Sequence, residues 1–368
     1  MSNPAGSDPG SNHAAAAWRL FGRDVAGAGG GALALLLALL LAFDPYGIVR
    51  SPQGRTPLLV DQSHRLMAPQ VIRTGRYDAG VFGTSTIRLL DPKRLDAALG
   101  ARFASLAMNA ATPWEQRRAM DLFLREAPAP TTLLLGVDLP LWCAPDATGE
   151  AKRVTPRGFP DWLYDGRDPA DLLRLLNLSS VEFALRLAAV RAGLARPRLR
   201  EDGYDVFVPP DGAYDVVRAR AHIARAVTSM RATDAPGSDV AAPAAPDRSF
   251  PALAWLEETF TQAAARGARV ILTFMPTHVS VQPRVGGPDA ARESACKARI
   301  AAIASSRSAL VVDFRLASTV TREDANYWDP LHYRIGIAQR VVDALRAAAT
   351  TGRDDEEGFY RLLASPSR

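Results

Sequence analysis

The sequence predicts an α/β protein: a three-layer α/β/α sandwich with a five-stranded parallel sheet, preceded by a transmembrane helix. Short apolar runs alternate along the chain with segments of helical periodicity, a pattern typical of parallel sheets with helices on both faces. An uncharged apolar segment long enough to span a bilayer lies near the N-terminus. The chain has 368 residues, of which 48% are hydrophobic, so it can bury a sizeable core.

Charge and composition exclude several classes of function. The formal net charge of +5 is small for this length, and the arginines are scattered rather than gathered into the basic, aromatic-rich patch of a nucleic-acid-binding surface. The five histidines are also scattered and no Cys/His cluster occurs, so we expect no metal and no cofactor. The two cysteines, Cys143 and Cys296, could pair in an oxidising compartment, but the sequence does not decide this.

Residues 26–43, AGAGGGALALLLALLLAF, carry no charge and predict a retained transmembrane anchor. At about 1.5 Å per residue, the segment just crosses a hydrocarbon core of about 30 Å. Arg19 and Arg23 precede it, which favours a cytoplasmic tail over residues 1–25. We therefore expect a single-pass protein of the inner (cytoplasmic) membrane with its main domain in the periplasm. A cleaved signal peptide is an alternative, although residues 43–45 (FDP) do not provide a small-residue cleavage site. A buried core helix is a third interpretation.

The main domain is predicted at residues 79–348, after an irregular, proline-rich lead-in at residues 44–78. Its strands are predicted from short apolar runs bounded by turn residues. These runs are residues 79–83, 101–108, 131–138, 268–275 and 309–314. Helical spacing predicts the helices that alternate with them. These are residues 113–127, 251–267 and 334–348. Residues 349–368 are predicted to be a charged, peripheral tail.

Residues 144–250 differ in character and predict an insertion over the active edge of the sheet, as a lid or substrate cap. An aromatic, turn-rich stretch, RGFPDWLYDG, is followed by two helical patterns, at residues 169–194 and 213–232. An Ala/Pro/Asp-rich loop at residues 232–251 ends the insertion.

Candidate catalytic residues follow from the sheet, because ligands bind beyond the carboxyl ends of parallel strands. Ser85, in VFGTST, stands directly after the first strand, beside backbone N–H groups that could bind an oxyanion. Asp329 and His332, in WDPLHY, precede the last helix at a spacing that suits a base and its orienting partner. Helix capping explains each motif when it is taken alone.

Taken together, these motifs resemble those of the SGNH (GDSL-type) hydrolase superfamily, especially its membrane-anchored bacterial branch related to the alginate O-acetylation proteins. The resemblance rests on Gly-Thr-Ser after the first strand, the α/β alternation and the terminal Asp-x-x-His. It covers about residues 79–143 and 251–348 and implies a flavodoxin-like SGNH fold. It also implies that Ser85 is the nucleophile, His332 the general base and Asp329 the residue that orients it.

The resemblance further implies which residues bind the oxyanion or the substrate. The stretch SLAMNAAT matches a block that normally offers a glycine N–H, and it places Ala110 at the glycine position. Asn109 beside it is an equal candidate as a side-chain donor. The third block, usually Gly-x-Asn-Asp, has Gly136 and Asp138 but no asparagine. His278 ends the fourth strand, where it either contacts substrate or is structural.

The sequence thus predicts a membrane-anchored, extracytoplasmic serine esterase or O-acyltransferase that acts on cell-envelope carbohydrate or a related ester. Its expected partners are an acyl ester or polysaccharide substrate, the membrane, and a membrane protein that supplies acyl groups; no nucleic acid is expected. The alternative is a catalytically inactive SGNH-fold protein that binds carbohydrate or assists assembly, because two oxyanion blocks are altered. A purely structural anchored protein would leave the paired motifs to coincidence.

Overall fold

The computed structural model of the chain describes residues 9–49, 54–166, 168–233 and 249–366. Two predicted segments lie partly outside these ranges. They are the cytoplasmic tail, at residues 1–8, and the Ala/Pro/Asp-rich loop, at residues 234–248. Contacts divide the chain into two compact units. The helical unit comprises Met1–Pro45 and Asp168–Ala195, and the sheet unit comprises Tyr46–Arg167 and Arg196–Arg368.

A mixed six-stranded sheet forms the centre of the sheet unit, so the chain is an α/β protein. The strands are β1 (Ala79–Phe82), β2 (Phe103–Ser105), β3 (Thr132–Gly136), β4 (Arg269–Phe274), β5 (Leu310–Asp313) and β6 (Arg361–Ala364). Their order is β2-β1-β3-β4-β5-β6; the first five strands run parallel, and β6 pairs antiparallel with β5. The carboxyl ends of β1 to β5 therefore meet at one edge, where a parallel sheet binds ligands.

The prediction of a sheet with five strands, all parallel, was wrong because the C-terminal tail contributes a sixth strand, β6. The run of acidic residues in the tail suggested a peripheral segment. However, Phe359 and Tyr360 pack against Phe314 directly before β6 begins. These aromatic contacts hold the tail on the sheet, and an antiparallel edge strand on an otherwise parallel sheet is common.

Twelve α-helices occur in the described ranges. They are α1 (Pro9–Phe43), α2 (His64–Arg73), α3 (Pro92–Leu99), α4 (Pro113–Glu126), α5 (Leu139–Trp142), α6 (Asp171–Arg174), α7 (Leu178–Arg191), α8 (Val216–Thr233), α9 (Leu253–Ala265), α10 (Pro288–Ser305), α11 (Thr319–Arg322) and α12 (Ile335–Thr351). The start of α4 illustrates how sequence sets a boundary: Thr112 and Glu115 form a capping box around Pro113. The predicted irregular lead-in contains α2, which is almost entirely buried.

Helices cover both faces of the sheet. Neighbouring residues of a strand point to opposite faces, so each strand contacts helices on both sides. Val81 of β1 joins a core cluster that includes residues of α3 and α12. The next residue, Phe82, packs edge-on against Phe123 of α4. In turn, α4 contacts α9, and α3 contacts α12.

A disulfide bond joins Cys143, directly after α5, to Cys296 in α10. Its Cα atoms are 6.0 Å apart, and it links positions separated by 153 residues. The pairing that the sequence left open is therefore made, and it connects the loop after β3 with the helix before β5.

The predicted insertion is divided between the two units. Its residues 168–195 belong to the helical unit. Residues 196–208 instead join the edge of the sheet: the N–H of Ser105 donates to the carbonyl of Asp202 at 2.8 Å, and Val208 enters the core.

The helical unit contains the apolar N-terminal helix. Within α1, residues Ala16–Phe43 are long and apolar enough to cross a membrane, with a mean hydropathy of 2.2. This segment is almost entirely exposed, unlike the core helix of a soluble protein, whereas a signal sequence would meet the same description. Helix α7 packs against α1, and the Arg191 guanidinium lies 5.2 Å from the centre of the Phe43 ring.

Candidate active site

Ser85 is presented by a tight turn at the carboxyl end of β1. Gly83 has φ 135°, and a Cβ atom there would lie 2.8 Å from the carbonyl oxygen of Gly136. Only glycine fits this conformation and this close approach of two backbones. Ser85 is partly exposed, whereas residues 79–84 and 86–90 on either side of it are buried. The turn therefore holds a single accessible hydroxyl on a rigid support.

The structure brings Ser85, His332 and Asp329 together in one hydrogen-bonded chain. Nε2 of His332 lies 2.8 Å from Oγ of Ser85, and Nδ1 lies 2.7 Å from Oδ2 of Asp329. Burial alone would raise the pKa of Asp329. The hydrogen bond and charge of His332 and two backbone N–H donors lower it by more, so the pKa of Asp329 lies below its usual value. The ionised carboxylate fixes the proton on Nδ1, so Nε2 can accept the serine proton.

The loop that carries Asp329 and His332 is tied to the rest of the site at several points. Tyr327 and Tyr333 pair across it as an antiparallel bridge. The hydroxyl of Tyr333 donates to the carbonyl of Thr86 at 2.6 Å, which links the loop directly to the serine turn. The loop thus places the imidazole by backbone pairing as well as by side-chain contacts.

The Asp138 carboxylate accepts hydrogen bonds from the turn that carries Ser85. Oδ2 accepts from the Thr84 hydroxyl at 2.7 Å, and Oδ1 accepts from the Thr86 hydroxyl at 3.1 Å. Burial raises the pKa of Asp138, although these two hydrogen bonds oppose it. Gly136 lies buried beneath the turn, where its lack of a side chain leaves space for Ile87. Both predicted residues therefore shape the turn.

Asn109 and Ala110 follow β2 and provide the other candidate oxyanion donors. Ala110 is exposed and has φ 50°, the left-handed conformation that glycine adopts most readily. In the described part of the chain, neither its backbone N–H nor that of Ser85 donates a hydrogen bond. Both amides are therefore free to bind a developing negative charge.

The Asn109 side chain is oriented by Arg88, a residue that the sequence did not single out. A guanidinium group only donates hydrogen bonds, so Arg88 fixes Oδ1 of Asn109 as its acceptor. The Nδ2 group of Asn109 is then the donor that remains. Arg88 also donates to Asp205, and burial lowers the pKa of Arg88 although Asp205 opposes this.

Phe207 connects Arg88 to His332. The Arg88 guanidinium lies 4.6 Å from the centre of the Phe207 ring. The same ring meets the His332 imidazole edge to face, with centroids 5.4 Å apart. The apolar run DVFVP was a signal for a packed segment, but it lay within the predicted insertion and was not linked to the site.

From the end of β4, His278 supports the loop that carries Asp329 and His332, and in the described part of the chain it makes no hydrogen bond with the side chains of Ser85, His332 or Asp329. Its backbone N–H donates to the carbonyl of Pro330 at 2.8 Å. Its ring lies between Oγ of Ser280, at 2.8 Å from Nδ1, and Oδ1 of Asp324, at 3.1 Å from Nε2. Burial lowers the pKa of His278, although Asp324 opposes this. These contacts favour the structural one of its two predicted roles.

No group of three or more His, Cys, Asp or Glu side chains in the described ranges is placed to hold a metal ion. The chain matches no protein-family model and no curated protein. Its chemistry must therefore be inferred from the geometry of the site. That geometry combines a partly exposed serine, an imidazole held between the serine and an aspartate, and the backbone amides of Ser85 and Ala110, which donate no hydrogen bond in the described part of the chain.

Proposed function

We propose that this chain is a membrane-anchored, extracytoplasmic serine esterase or O-acyltransferase of the SGNH (GDSL-type) superfamily that acts on cell-envelope carbohydrate or a related ester. The observation that carries the proposal is the chain of hydrogen bonds from Ser85 through His332 to Asp329, with both links at 2.7–2.8 Å. Helix capping would not require the link between Ser85 and His332, which lie 247 positions apart.

The topology supports this superfamily. The parallel strands follow the order 2-1-3-4-5, which is that of flavodoxin-like doubly wound sheets. Helices on both faces make the three layers of such a sandwich, and β6 is an addition at one edge. The nucleophile follows β1, and the Asp-x-x-His loop precedes the last helix, which is the chain order of SGNH hydrolases.

In the proposed acylation step, Nε2 of His332 accepts the Ser85 proton while Oγ attacks the ester carbonyl. The tetrahedral intermediate places its negative charge near the amides of Ser85 and Ala110 and the side chain of Asn109. Its collapse breaks the bond to the leaving alcohol, which takes the proton back from His332. The product is an acyl-serine enzyme.

The second half-reaction decides between esterase and acyltransferase. Water or a carbohydrate hydroxyl attacks the acyl-serine, His332 accepts the proton of the attacking group, and Ser85 is regenerated. A carbohydrate acceptor makes the protein an O-acyltransferase, and exclusion of water would favour that outcome. The acyl donor would be an ester delivered at the membrane by a partner protein.

The location of the protein is supported by two independent features. The exposed apolar segment of α1 has the length and hydropathy of a membrane span. The Cys143–Cys296 disulfide is typical of a compartment outside the cytoplasm, because cytosolic thiols are kept reduced. Both features support a single pass through the cytoplasmic membrane with the sheet unit in the periplasm.

An inactive carbohydrate-binding or assembly protein remains the second candidate because of the oxyanion site. Ala110 occupies a position that SGNH hydrolases give to glycine, and Asp138 holds the serine turn rather than offering a donor. This candidate predicts a folded site without an activated nucleophile.

Labelling with a fluorophosphonate separates the two candidates. Full-length protein in detergent is treated with the probe and analysed by intact mass, alongside Ser85→Ala and His332→Ala. Ser280→Ala is the matched control, since Ser280 also lies 2.8 Å from a histidine nitrogen but outside the proposed triad. A single adduct that is retained in the Ser280→Ala variant and lost in the other two supports the enzyme. Folded wild-type protein that forms no adduct refutes it.

A further inference from the structure

The part of the predicted insertion that belongs to the helical unit exposes an unusual number of leucine side chains. Six large apolar residues between positions 172 and 194 are exposed to solvent. Leu173 is 71% exposed, Leu178 89% and Leu194 83%. Single exposed leucines are ordinary on protein surfaces, but such a concentration in one short segment marks an interaction surface. Residues 171–194 are called here the leucine-rich segment.

The position of α7 identifies what covers this surface. The buried side of α7 is formed by residues spaced three or four apart, which include Phe183, Ala184 and Leu187. Helix α7 packs against α1 within the same compact unit. The contact of Arg191 with Phe43 places α7 beside the C-terminal end of the candidate span of α1, so α7 lies at the surface of the bilayer that α1 would cross.

The charges of the leucine-rich segment are compatible with the membrane interface. Arg174 pairs with Asp171 at 3.4 Å, and Arg186 pairs with Glu182 at 2.6 Å. These pairs neutralise both acidic side chains of the segment. Long arginine side chains can also extend toward lipid headgroups while their methylene groups lie on apolar surface. Binding would therefore depend mainly on the leucines and would not require anionic lipid.

We infer that the leucine-rich segment is a second membrane contact, with α6 and α7 lying in the lipid interface beside α1. This conclusion rests on the anchoring proposed for α1 and not on catalysis. Its ligand is the lipid surface itself. The segment was expected from sequence to contribute to a lid; the inference assigns it to the bilayer.

Site-specific labelling of the full-length protein tests this assignment. Both native cysteines are in the disulfide, so an introduced cysteine is the only free thiol. Leu178→Cys is labelled with an environment-sensitive fluorophore and reconstituted into phosphatidylcholine vesicles. Leu35→Cys, at a 75% exposed position of α1, reports on the anchor. Val285→Cys, at a fully exposed apolar position of the sheet unit, is the matched aqueous control.

Quenching by nitroxide-labelled lipid and by aqueous iodide is then compared at the three positions. We expect the fluorophore at position 178 to be quenched by lipid and protected from iodide. Quenching should be strongest with the nitroxide near the carbonyl end of the acyl chain, since interfacial helices lie about 5–10 Å deep. Position 35 should respond best to a deeper nitroxide, and position 285 only to iodide.

Three other results would overturn the inference. Iodide quenching at position 178, with lipid quenching retained at position 35, would leave the anchor in place and refute the second contact. Protection from both quenchers at position 178 would mean that protein, and not lipid, covers the segment. Absence of lipid quenching at position 35 would refute the anchor and the inference that depends on it. None of these results depends on whether Ser85 is reactive.

Discussion

Replacing Asp329 by asparagine tests the proposed catalytic mechanism with little change in shape. Oδ1 of Asp329 accepts the backbone N–H groups of Leu331 at 2.8 Å and His332 at 3.0 Å, while Oδ2 faces Nδ1 of His332 at 2.7 Å. An asparagine keeps the two backbone hydrogen bonds only if its carbonyl oxygen takes the Oδ1 position. Its NH₂ group then points at Nδ1 of His332.

That arrangement forces the wrong tautomer on His332. An NH₂ group can only donate, so Nδ1 must become an acceptor and the ring proton must move to Nε2. A protonated Nε2 cannot accept the proton of Ser85. The equivalent substitution in serine proteases lowers kcat about 10⁴-fold, which corresponds to about 5 kcal/mol of transition-state stabilisation. We expect a loss of this size for Asp329→Asn.

The loss is measured as the rate of fluorophosphonate labelling and of p-nitrophenyl acetate hydrolysis by full-length protein. Asp211→Asn is the matched control, because Asp211 is also a paired aspartate, bound to Arg334 at 3.0 Å, but lies outside the triad. Its rates should equal those of wild type. A rate for Asp329→Asn within about tenfold of wild type, in protein that unfolds at the wild-type temperature, would refute the tautomer argument.

Three further predictions follow from neighbouring residues. Asn109→Ala should lower kcat by about 10²–10³ with little change in KM, through loss of one oxyanion donor; an unchanged kcat would assign the oxyanion to backbone amides alone. Ala110→Gly should raise the free energy of unfolding by up to about 1 kcal/mol. Glycine adopts the left-handed conformation at φ 50° without the steric cost that alanine has there, and this gain outweighs the greater entropy of glycine in the unfolded chain. Lower stability of the variant in urea would contradict this. Burial lowers the pKa of His64 from 6.5 to about 4. The unfolded chain therefore binds a proton at His64 more readily than the folded chain does. The contribution of neutral His64 to the free energy of unfolding, about 3 kcal/mol, is fully present above pH 6.5 and is lost as the pH falls toward 4. Urea titrations across this range should show that loss in wild type and a flatter profile in His64→Gln.

The parallel strands and the meeting of Ser85, His332 and Asp329 could be predicted from sequence because each is signalled locally. The five parallel strands are continuous apolar runs, and the strand that precedes Ser85 fixes which edge of the sheet carries it. Asp329 and His332 lie three positions apart in one loop. Such features depend on residues near in sequence, so a single chain contains the information.

The surroundings of the triad could not be predicted because they depend on contacts between distant segments. Arg88 orients Asn109 from a neighbouring loop, and Asp205 and Phe207 reach the site from within the predicted insertion. Nothing in the spacing of these residues signals that they meet. The β6 strand could not be predicted for a related reason. Its place on the sheet depends on aromatic contacts with Phe314, more than forty positions earlier in the chain.

Charge that develops on His332 during the proposed reaction would be stabilised by Asp329. Asp329 is hydrogen-bonded to the ring and ionised, so it favours the imidazolium directly. Burial raises the pKa of Asp138, whereas the hydrogen bonds from Thr84 and Thr86 oppose this first and the charges of Arg315 and His332 oppose it after them. Asp138 holds Thr84 and Thr86 on either side of Ser85, so it acts on the nucleophile turn. An aspartate in the place of the usual donor block is therefore consistent with an active enzyme, provided that Asn109 and the backbone amides bind the oxyanion.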